Sequence, residues 1–575
     1  MRCWIKALLA TAGLAAAVAP AGRAAGDPGH AGAPATEVRA GVAVGVNLEG
    51  VKDWSRLSPF VDLMKSARAW GLPGQPWVHG GRTDALGWPL QDAGVVVKML
   101  EQDAGDPQAG RGNLDPGVYR LSFRGRAARV RPVSSPGVSV RNLAHDATTG
   151  LSTAEVVVGG NASQLMLGFE GTDGGVRDVR LVPASAAAGQ TFSPAFRAAI
   201  APFGTLRLMD FLETNGNPTR RWSERTTPQA ATQAGERGAA YEYAVQMANE
   251  LGKDIWINVP AGVDDAYVRS LAVLLHRTLA PGRVVYVEYS NELWNPQFSQ
   301  TAWNREAAVA EALAGDTSLT NGQRCTAELF KAVSGECNPY WAGYYRVGKR
   351  TVRIAQIFSE VFGPGALNTR FRVVYATQFA DRSIAEQVLK NIATYRGRPA
   401  AFLYGVAGAP YFYLDEDLAR STGLDAEAIH ASMQRSLEGE VLPVLAPGVT
   451  RGDVFLKGEP YRGGDWNRPS LKSLADFYRL QSLAYEGGPD FRQEDASLPA
   501  KFAANGDRRM GEQMERLLQQ WYGCGNGMFV HFNLTSGYGR HGYWGLTNDA
   551  RDLRTPKYQA LAAAARGAAA YRTCR

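Results

Sequence analysis

The sequence is poor in the residues from which most protein metal sites are built. It has five cysteines and seven histidines among 575 residues, and no two cysteines form a C-x-x-C pair. The histidines are dispersed along the chain, whereas zinc sites use closely spaced cysteine and histidine ligands. The composition therefore argues against a zinc centre. We expect no cofactor, and a structural metal ion stays open as an alternative.

The chain also lacks a block of lysine and arginine residues. Its formal net charge is +7, and removal of residues 1–25 would take away Arg2, Lys6 and Arg23 and no acidic residue, which leaves +4. Nucleic-acid-binding proteins concentrate basic charge on one face or in one segment. We therefore expect no nucleic-acid partner.

Long apolar runs are absent except near the N-terminus. The apolar stretch Ala7–Ala19 is too short to span a bilayer. Arg2 and Lys6 precede it and small residues at 21–25 follow it, which is the pattern of a secretory signal peptide. We predict a signal peptide at residues 1–25 and a secreted or periplasmic protein with no membrane segment after cleavage. An uncleaved membrane anchor is the alternative.

Four cysteines follow the predicted cleavage site: Cys325, Cys337, Cys524 and Cys574. An even number of cysteines in an exported chain indicates two disulfides. Three pairings are open. Proximity along the chain favours Cys325–Cys337 together with Cys524–Cys574.

Two sequence patterns divide the first third of the chain. Residues 26–93 hold a Gly/Ala/Pro-rich lead-in, an apolar strand at Gly41–Gly50, and apolar residues at helical spacing that predict a helix over Pro59–Trp70. Residues 94–184 show short alternating strands separated by turn residues, at the spacing of a β-sandwich. We predict an inserted all-β sandwich module over 94–184.

Residues 185–575 alternate between strands and helices. With the strand at Val42–Leu48, the pattern gives eight strands, the others being at 204–210, 254–260, 284–289, 371–377, 401–412, 481–488 and 527–534. This alternation predicts an α/β fold, a (β/α)₈ TIM barrel interrupted by the sandwich module. A doubly wound parallel sheet is the rival fold, but no G-x-G-x-x-G follows a predicted strand.

Polar and aromatic residues stand where the predicted barrel strands end. Barrels of this kind build their active sites at the carboxyl ends of their strands. Aromatic rings that stack on sugar faces, beside amides and charged groups that bind hydroxyls, are typical of a carbohydrate site. The candidate site residues are Arg207, Asp210, Asn258, Asn291, Glu292, Tyr411, Glu486 and His531, with Trp294 and Trp544 near the same rim.

Two of these residues are carboxylates that follow apolar strands. Glu292 stands in YSNELWN and Glu486 in LAYEGG. Hydrolysis of a glycosidic bond needs one carboxyl group of raised pKa to protonate the leaving oxygen, and an ionised one to attack the anomeric carbon or activate water. A salt bridge or a helix-capping acid is the structural alternative for Glu292, and a turn carboxylate is the alternative for Glu486.

An Asn-Glu pair at the end of the fourth strand, with a second glutamate ending the seventh, resembles the clan A retaining (β/α)₈ glycoside hydrolases. That clan includes many cellulases, mannanases and xylosidases. The resemblance implies that Glu292 is the acid/base, that Glu486 is the nucleophile and that Asn291 contacts the sugar 2-hydroxyl. It also implies that Arg207 and Tyr411 orient the nucleophile.

The resemblance covers roughly residues 41–94 and 195–575, and it leaves out the insert. The string VYVEYSNELWN also resembles a group of secreted bacterial proteins loosely labelled cellulose-binding. The long segment 296–370, between strands four and five, departs from the clan's pattern and is a candidate lid or extra subsite.

The resemblance implies a secreted, retaining O-glycoside hydrolase that acts on a polysaccharide or an oligosaccharide. A non-catalytic carbohydrate-binding protein on a glycosidase-like barrel is the alternative, and transglycosylation would use the same residues. The sugar, the linkage and the oligomeric state stay open.

Several candidates also have a structural interpretation. Arg207 could simply pair with Asp210, and Asn258 could serve as a capping residue. The two tryptophans could be packing residues rather than ligand platforms.

Neighbouring residues compete with two of the candidates. Glu288, in the middle of the fourth strand, is an alternative carboxylate to Glu292. Tyr404 and Tyr413 compete with Tyr411 for the position beside the nucleophile.

Overall fold

The computed structural model of the protein describes residues 43–99, 114–445, 470–567, 571, 573 and 574. The predicted signal peptide and most of the lead-in lie outside the described residues.

Short strands and helices alternate over most of the described chain. The strands are β1 (Val44–Asn47), β2 (Gly71–Leu72), β3 (Gln75–His79), β4 (Ala93–Lys98), β5 (Gly117–Arg124), β6 (Ala127–Pro132), β7 (Val138–Asp146), β8 (Leu151–Val158), β9 (Leu165–Thr172), β10 (Arg177–Pro183), β11 (Thr205–Arg207), β12 (Asp254–Val259), β13 (Val285–Tyr289), β14 (Phe371–Ala376), β15 (Gly405–Gly408), β16 (Tyr411–Tyr413), β17 (Gln481–Ala484), β18 (Gly488–Asp490) and β19 (Phe529–His531). The α-helices are α1 (Pro194–Ile200), α2 (Tyr241–Leu251), α3 (Asp265–Thr278), α4 (Ser299–Leu313), α5 (Ala327–Lys331), α6 (Pro339–Phe362), α7 (Arg382–Tyr395), α8 (Glu416–Ala419), α9 (Ala426–Ser436), α10 (Leu471–Phe477), α11 (Leu498–Gly506), α12 (Arg508–Gly523) and α13 (Pro556–Ala565). Turns of 3-10 helix lie at Leu63–Ser66, Trp222–Glu224, Thr317–Thr320, Pro399–Ala401 and Leu442–Val444, and a π-helical turn at Leu437–Val441.

Eight parallel strands close into a barrel, in the order β1, β11, β12, β13, β14, β15, β17, β19 and back to β1. Each falls within, or at the edge of, one of the eight predicted strands, and helices connect most of them. The predicted (β/α)₈ barrel is therefore confirmed. It places all eight carboxyl strand ends on one face, where the candidate residues were expected.

The barrel interior is filled by side chains rather than open. Alternate residues of the strands form a separate apolar cluster that includes Trp256, Tyr286, Leu483, Tyr485 and Val530. Their neighbours along the strands, such as Ile255 and Val285, pack instead into the large cluster beneath the helices. This division follows from the two-residue period of a strand, because successive side chains point to opposite faces.

Two antiparallel sheets form the insert between β1 and β11. Their strand orders are β10-β5-β8-β7 and β3-β2-β4-β9-β6. Both contribute to one apolar cluster that contains Trp70, Phe123 and Phe169, as expected for facing layers. The first strands of this module, β2 and β3, lie before residue 94, at which the sequence pattern had placed its start.

The predicted helix over Pro59–Trp70 is wrong. Only Leu63–Ser66 forms a helical turn, and it is of the 3-10 type. Phe60 pairs with Phe192 in an isolated bridge and packs in the barrel cluster, whereas Met64 and Trp70 pack in the insert cluster. The helical spacing of these apolar residues reflects a chain that crosses from one core to the other.

Two predicted strands divide at the rim of the barrel. The segment 401–412 forms β15 and then β16, and the segment 481–488 forms β17 and ends at the start of β18. Outside the barrel β16 pairs with β18, so that Tyr411 lies opposite Gly488. Residues 485–487 therefore form a short irregular link between the barrel wall and this outer sheet.

Both favoured disulfides form. Cys325 is bonded to Cys337 and Cys524 to Cys574. The first closes a short loop that contains α5. The second links residue 574 to the end of α12. Among the residues that the structure describes, no helix combines the length and the apolar character needed to cross a bilayer.

Candidate active site

The carboxyl ends of neighbouring barrel strands bring most of the predicted residues together. In the barrel register Asn47 lies opposite Arg207, and Arg207 lies opposite Trp256. Asn258 lies opposite Glu288 on the next pair of strands. A cluster of polar side chains therefore crosses the strand ends above the apolar interior.

Glu486 lies in the link between β17 and β18. Its Oε1 accepts a hydrogen bond from Arg207 Nη1 at 2.8 Å, and its Oε2 accepts one from the Tyr411 hydroxyl at 3.0 Å. Burial raises the pKa of this carboxyl, and the charge and hydrogen bonds of Arg207, with the hydrogen bond of Tyr411, oppose that rise. The pKa of Glu486 stays above its ordinary value because burial is the larger effect, while the guanidinium and the phenol orient the carboxylate and stabilise its ionised form.

The two glycines after Glu486 are required by close packing. Gly487 and Gly488 have φ of 156° and 124°. A Cβ at Gly488 would lie 2.5 Å from the His531 ring, and one at Gly487 would lie 2.9 Å from the Phe529 ring. Side chains at these positions would push the link, and Glu486 with it, away from the barrel.

Glu292 lies just beyond β13, in a turn of unusual backbone geometry. Ser290 and Glu292 both have positive φ, of 58° and 45°. Non-glycine residues in this region cost roughly 1–3 kcal/mol each and cluster at functional sites. The turn brings the Glu292 side chain to the mouth of the barrel instead of along the strand.

Two neutral donors hold the Glu292 carboxyl group. The Tyr485 hydroxyl donates to Oε1 and Asn295 Nδ2 donates to Oε2, both at 3.0 Å. Burial raises the pKa of Glu292 to about 7, and the negative charge of Glu486 adds to the rise. Near neutral pH a substantial fraction of Glu292 is thus protonated, as a general acid requires.

Arg207 is the hub of the cluster. Its Nη1 donates to Asn47 Oδ1 at 2.9 Å as well as to Glu486, and its Nη2 donates to Asn291 Oδ1 at 2.9 Å. Its Nε and Nη2 also donate to the two Glu288 oxygens, at 3.0 and 3.1 Å. Burial opposes the charge on Arg207, but Glu288 and Glu486 outweigh that effect and raise its pKa.

Asn291 joins the cluster on the other side of Arg207. Its Nδ2 donates to Asn215 Oδ1 at 3.2 Å. Gln300, at the start of α4, donates to the same Asn215 oxygen at 2.6 Å and to the Asn291 carbonyl at 3.3 Å. The long segment between the fourth and fifth strands therefore supports the site at its first helix, and its role as a lid or subsite stays a prediction.

Asn258 and Asp210 lie at the same face. Asn258 is buried and donates to the Ser290 carbonyl at 2.7 Å, so it braces the turn that carries Glu292. Burial raises the pKa of Asp210 to about 8, and the charges of Glu486 and Glu213 add to the effect. The alternative pairing of Arg207 with Asp210 is absent among the described hydrogen bonds and ion pairs, because five other hydrogen bonds take up the guanidinium.

His531 lies inside the barrel wall and not on its mouth. It is fully buried, its Nε2 lies 3.0 Å from the Trp544 carbonyl oxygen, and its ring packs beneath Gly488. Burial lowers the pKa of His531 to about 3, with the charge of Lys557 adding to the effect, so the ring is neutral. The His531 ring therefore packs under the link that carries Glu486, and its predicted contact with substrate stays a prediction.

Trp294 and Trp544 are partly exposed at the rim. Trp544 donates a side-chain hydrogen bond to Asp490 in β18 and packs edge-on against Phe532, with 5.8 Å between ring centroids. Trp294 packs against the barrel cluster, and its Nε1 is buried without a partner among the described residues. The roles of both rings as sugar platforms stay predictions.

Several residues of the site are not among the predicted ones. The sequence offers Glu288 only as a rival to Glu292, and Tyr485 and Trp256 are not among its candidates. Tyr485 directly precedes Glu486, so one strand end serves both carboxylates. The period of two along β13 could have indicated Glu288, since it shares a face with Tyr286 in the barrel interior.

No protein-family model matches the sequence, and no curated protein matches it either. Among solved structures the chain is similar to a GH51 arabinofuranosidase from Xanthomonas axonopodis pv. citri, with a TM-score of 0.38 and 12% identity, covering 68% of each chain. It is also similar to the CBM22-1-GH10 modules of xylanase 10B from Clostridium thermocellum, with a TM-score of 0.34 and 10% identity, covering 91% of this chain and 98% of that one. A family 1 β-glucosidase from Thermotoga maritima gives a TM-score of 0.31 and 11% identity, covering 64% of this chain and 84% of that one. These values are too low to assign an activity, which has to be argued from the site itself.

Proposed function

We propose that the protein is a retaining O-glycoside hydrolase that acts on a polysaccharide or an oligosaccharide. The observation that carries the proposal is the contrast between two carboxyl groups at one barrel mouth, of which Glu486 is buried and Glu292 half-buried. Glu486 is bound by a cation and a phenol, whereas Glu292 is bound only by neutral donors and has a pKa of about 7. Such a pair supplies one ionised and one protonated carboxyl at neutral pH.

The reaction follows from these two states. The Glu486 carboxylate attacks the anomeric carbon while Glu292 donates its proton to the departing oxygen, so the glycosidic bond breaks and a glycosyl ester forms. Glu292, now ionised, takes a proton from water, and the oxygen of that water attacks the anomeric carbon. The ester bond to Glu486 then breaks, and the product leaves with its original anomeric configuration.

The surrounding residues have supporting parts in this scheme. Arg207 and Tyr411 orient Glu486 and stabilise its anion as the leaving carboxylate of the second step. Tyr485 and Asn295 orient Glu292. Asn291 and Asp210 are the proposed contacts to sugar hydroxyls, and Trp294 and Trp544 the proposed rim contacts.

Export from the cytoplasm belongs to the same proposal. The two disulfides support it, because disulfides persist mainly in oxidising compartments. A polymeric substrate outside the cell fits an exported glycosidase.

The test is hydrolysis of a panel of plant and bacterial polysaccharides and aryl glycosides by the mature protein. We expect Glu486→Gln to lose at least about 10⁴-fold in kcat, and Glu292→Gln about 10²- to 10⁴-fold on unactivated substrates. Glu311→Gln is the matched control, because Glu311 pairs with Arg346 and Lys349 on the barrel helices, outside the site. The control should keep full activity.

A chemical rescue separates the roles of the two residues. Azide needs no general base, so it should restore turnover of an activated aryl glycoside in Glu292→Ala and yield a glycosyl azide. NMR of the wild-type product should show retained configuration. If the wild type and both variants are inert and bind a polysaccharide equally, the protein is instead a carbohydrate-binding scaffold.

A further inference from the structure

Glu288 is a third carboxylate in the cluster, and the proposed mechanism leaves it without a part. It lies in β13 with 1% of its surface exposed. Its oxygens accept hydrogen bonds from Arg207 at 3.0 and 3.1 Å and from Trp256 Nε1 at 2.8 Å. A buried, bidentate carboxylate this close to the nucleophile's own cation affects that cation's geometry and its charge.

The geometry of Arg207 depends on Glu288. A guanidinium has five N–H donors. The five hydrogen bonds of Arg207 go to Glu288 twice and once each to Asn47, Glu486 and Asn291. The bidentate pair with Glu288 fixes the plane of the guanidinium, and this plane sets the direction of the N–H that binds Glu486.

The charge of Arg207 is also shared. One cation stands between Glu288 and Glu486, with contacts of 2.9 and 2.8 Å. An unshared arginine would hold the nucleophile strongly as an anion, and a strongly stabilised carboxylate is a weaker nucleophile. The negative charge of Glu288 offsets part of the Arg207 field at Glu486.

We propose that Glu288 is a positioning residue for Glu486, which orients Arg207 and offsets part of its charge so that the nucleophile stays reactive. This inference rests on the proposed function, because it assigns Glu288 a part in that reaction. It reinterprets a residue that the sequence offers only as a rival acid to Glu292.

Other charged and titratable groups face the same cluster. Glu292 and Tyr485 lie on one side of Arg207, with the guanidinium carbon 5.0 Å from the Tyr485 ring centroid. Tyr411 binds Glu486 from β16, and Asp210 interacts with Glu486 through space. The described hydrogen bonds of Glu288 go to Arg207 and Trp256 and to none of these four groups, so the effect of a change at Glu288 on the pH profile reports the change in the Arg207–Glu486 balance.

The test compares Glu288→Gln, Glu288→Asp and the control Glu311→Gln by the pH dependence of kcat/KM. Removing the Glu288 charge should lower the pKa values of both Glu486 and Glu292. Both limbs of the profile should therefore move toward acid by about one pH unit, and kcat should fall about tenfold with KM nearly unchanged. Glu288→Asp keeps the charge and shortens the side chain, so it should lower kcat while the limbs stay in place. Glu311→Gln should move neither limb.

The inference would be overturned if both limbs of the pH profile stay in place in Glu288→Gln and kcat remains within twofold of the wild type. If the Gln variant does not fold, full kcat in Glu288→Asp would overturn it equally.

If the wild type is inactive, the proposed function fails, and the charge balance is then measured through the Tm of both proteins between pH 5 and 8. The Gln variant should gain stability relative to wild type as pH rises, because it lacks one ionised buried carboxylate. A constant offset would contradict the inference.

Discussion

Ion pairs of the same residue types occupy the barrel mouth and the β10-β5-β8-β7 sheet of the insert, and at equal distance they differ in burial. Arg207 and Glu486 lie 2.8 Å apart with side chains 0% and 7% exposed. Arg141 and Glu155, which join β7 to β8, also lie 2.8 Å apart, but their side chains are 59% and 38% exposed. Burial, rather than separation, therefore decides what an ion pair does.

Water explains the difference. At the insert surface it screens each charge and can replace either partner, so the pair contributes little. At the barrel mouth both partners have lost their hydration and depend on each other, so the charge of each one alters the ionisation of its partner. The exposed ion pairs of the insert form a polar surface, whereas the buried ion pairs of the barrel mouth set the protonation states of the carboxyl groups there.

The largest effect is expected for Arg207→Met. It leaves Glu288 and Glu486 buried without their cation, so the free energy of unfolding should fall by about 3–5 kcal/mol. Urea unfolding at pH 7 measures this loss. Since both carboxyl groups would then take up protons, the loss should shrink at pH 5, and a loss independent of pH would contradict the account.

A second prediction concerns pH dependence at Glu292. Its pKa is about 7 in the folded protein and near 4.5 when unfolded, so the folded state holds a proton that the unfolded state has released. Its contribution to stability is therefore full below pH 4.5 and is lost as pH rises toward 7. Glu292→Gln lacks this loss and should gain about 2–3 kcal/mol relative to wild type between pH 4.5 and 8.

Denaturant unfolding of wild type and Glu292→Gln across that range tests the prediction, with Glu311→Gln as the matched carboxylate-to-amide control. A stability difference that stays flat with pH in Glu292→Gln would mean that Glu292 ionises like an exposed glutamate.

The smallest effect is expected in the insert. Arg141→Met removes the cation from Glu155 while solvent remains to hydrate that carboxylate. The free energy of unfolding should change by less than about 1 kcal/mol, and the change should disappear in 1 M salt. A loss as large as that of Arg207→Met would abolish the distinction between the two regions.

The barrel and the two catalytic candidates could be predicted because their signals are local. Buried parallel strands are continuous apolar runs, and the residues that end them are adjacent in sequence, as in YSNELWN. The prediction of a helix at Pro59–Trp70 was wrong because the apolar residues of this segment pack into two different cores. A local sequence pattern does not show which core each residue enters. His531 could not be distinguished from a rim residue, because the packing of Gly488 over its ring involves two different strands.

By itself the sequence determined the eight strands, their carboxyl ends and the residue types delivered there. These depend on hydrophobic periodicity and on turn residues, which act over a few positions. Only the tertiary structure decided which charges meet. Asn47, Arg207, Glu288 and Glu486 are scattered over the chain, and barrel closure brings them into one buried network. The ionisation of Glu292 follows from that network, because desolvation and the charge of Glu486 exist only once the barrel has closed.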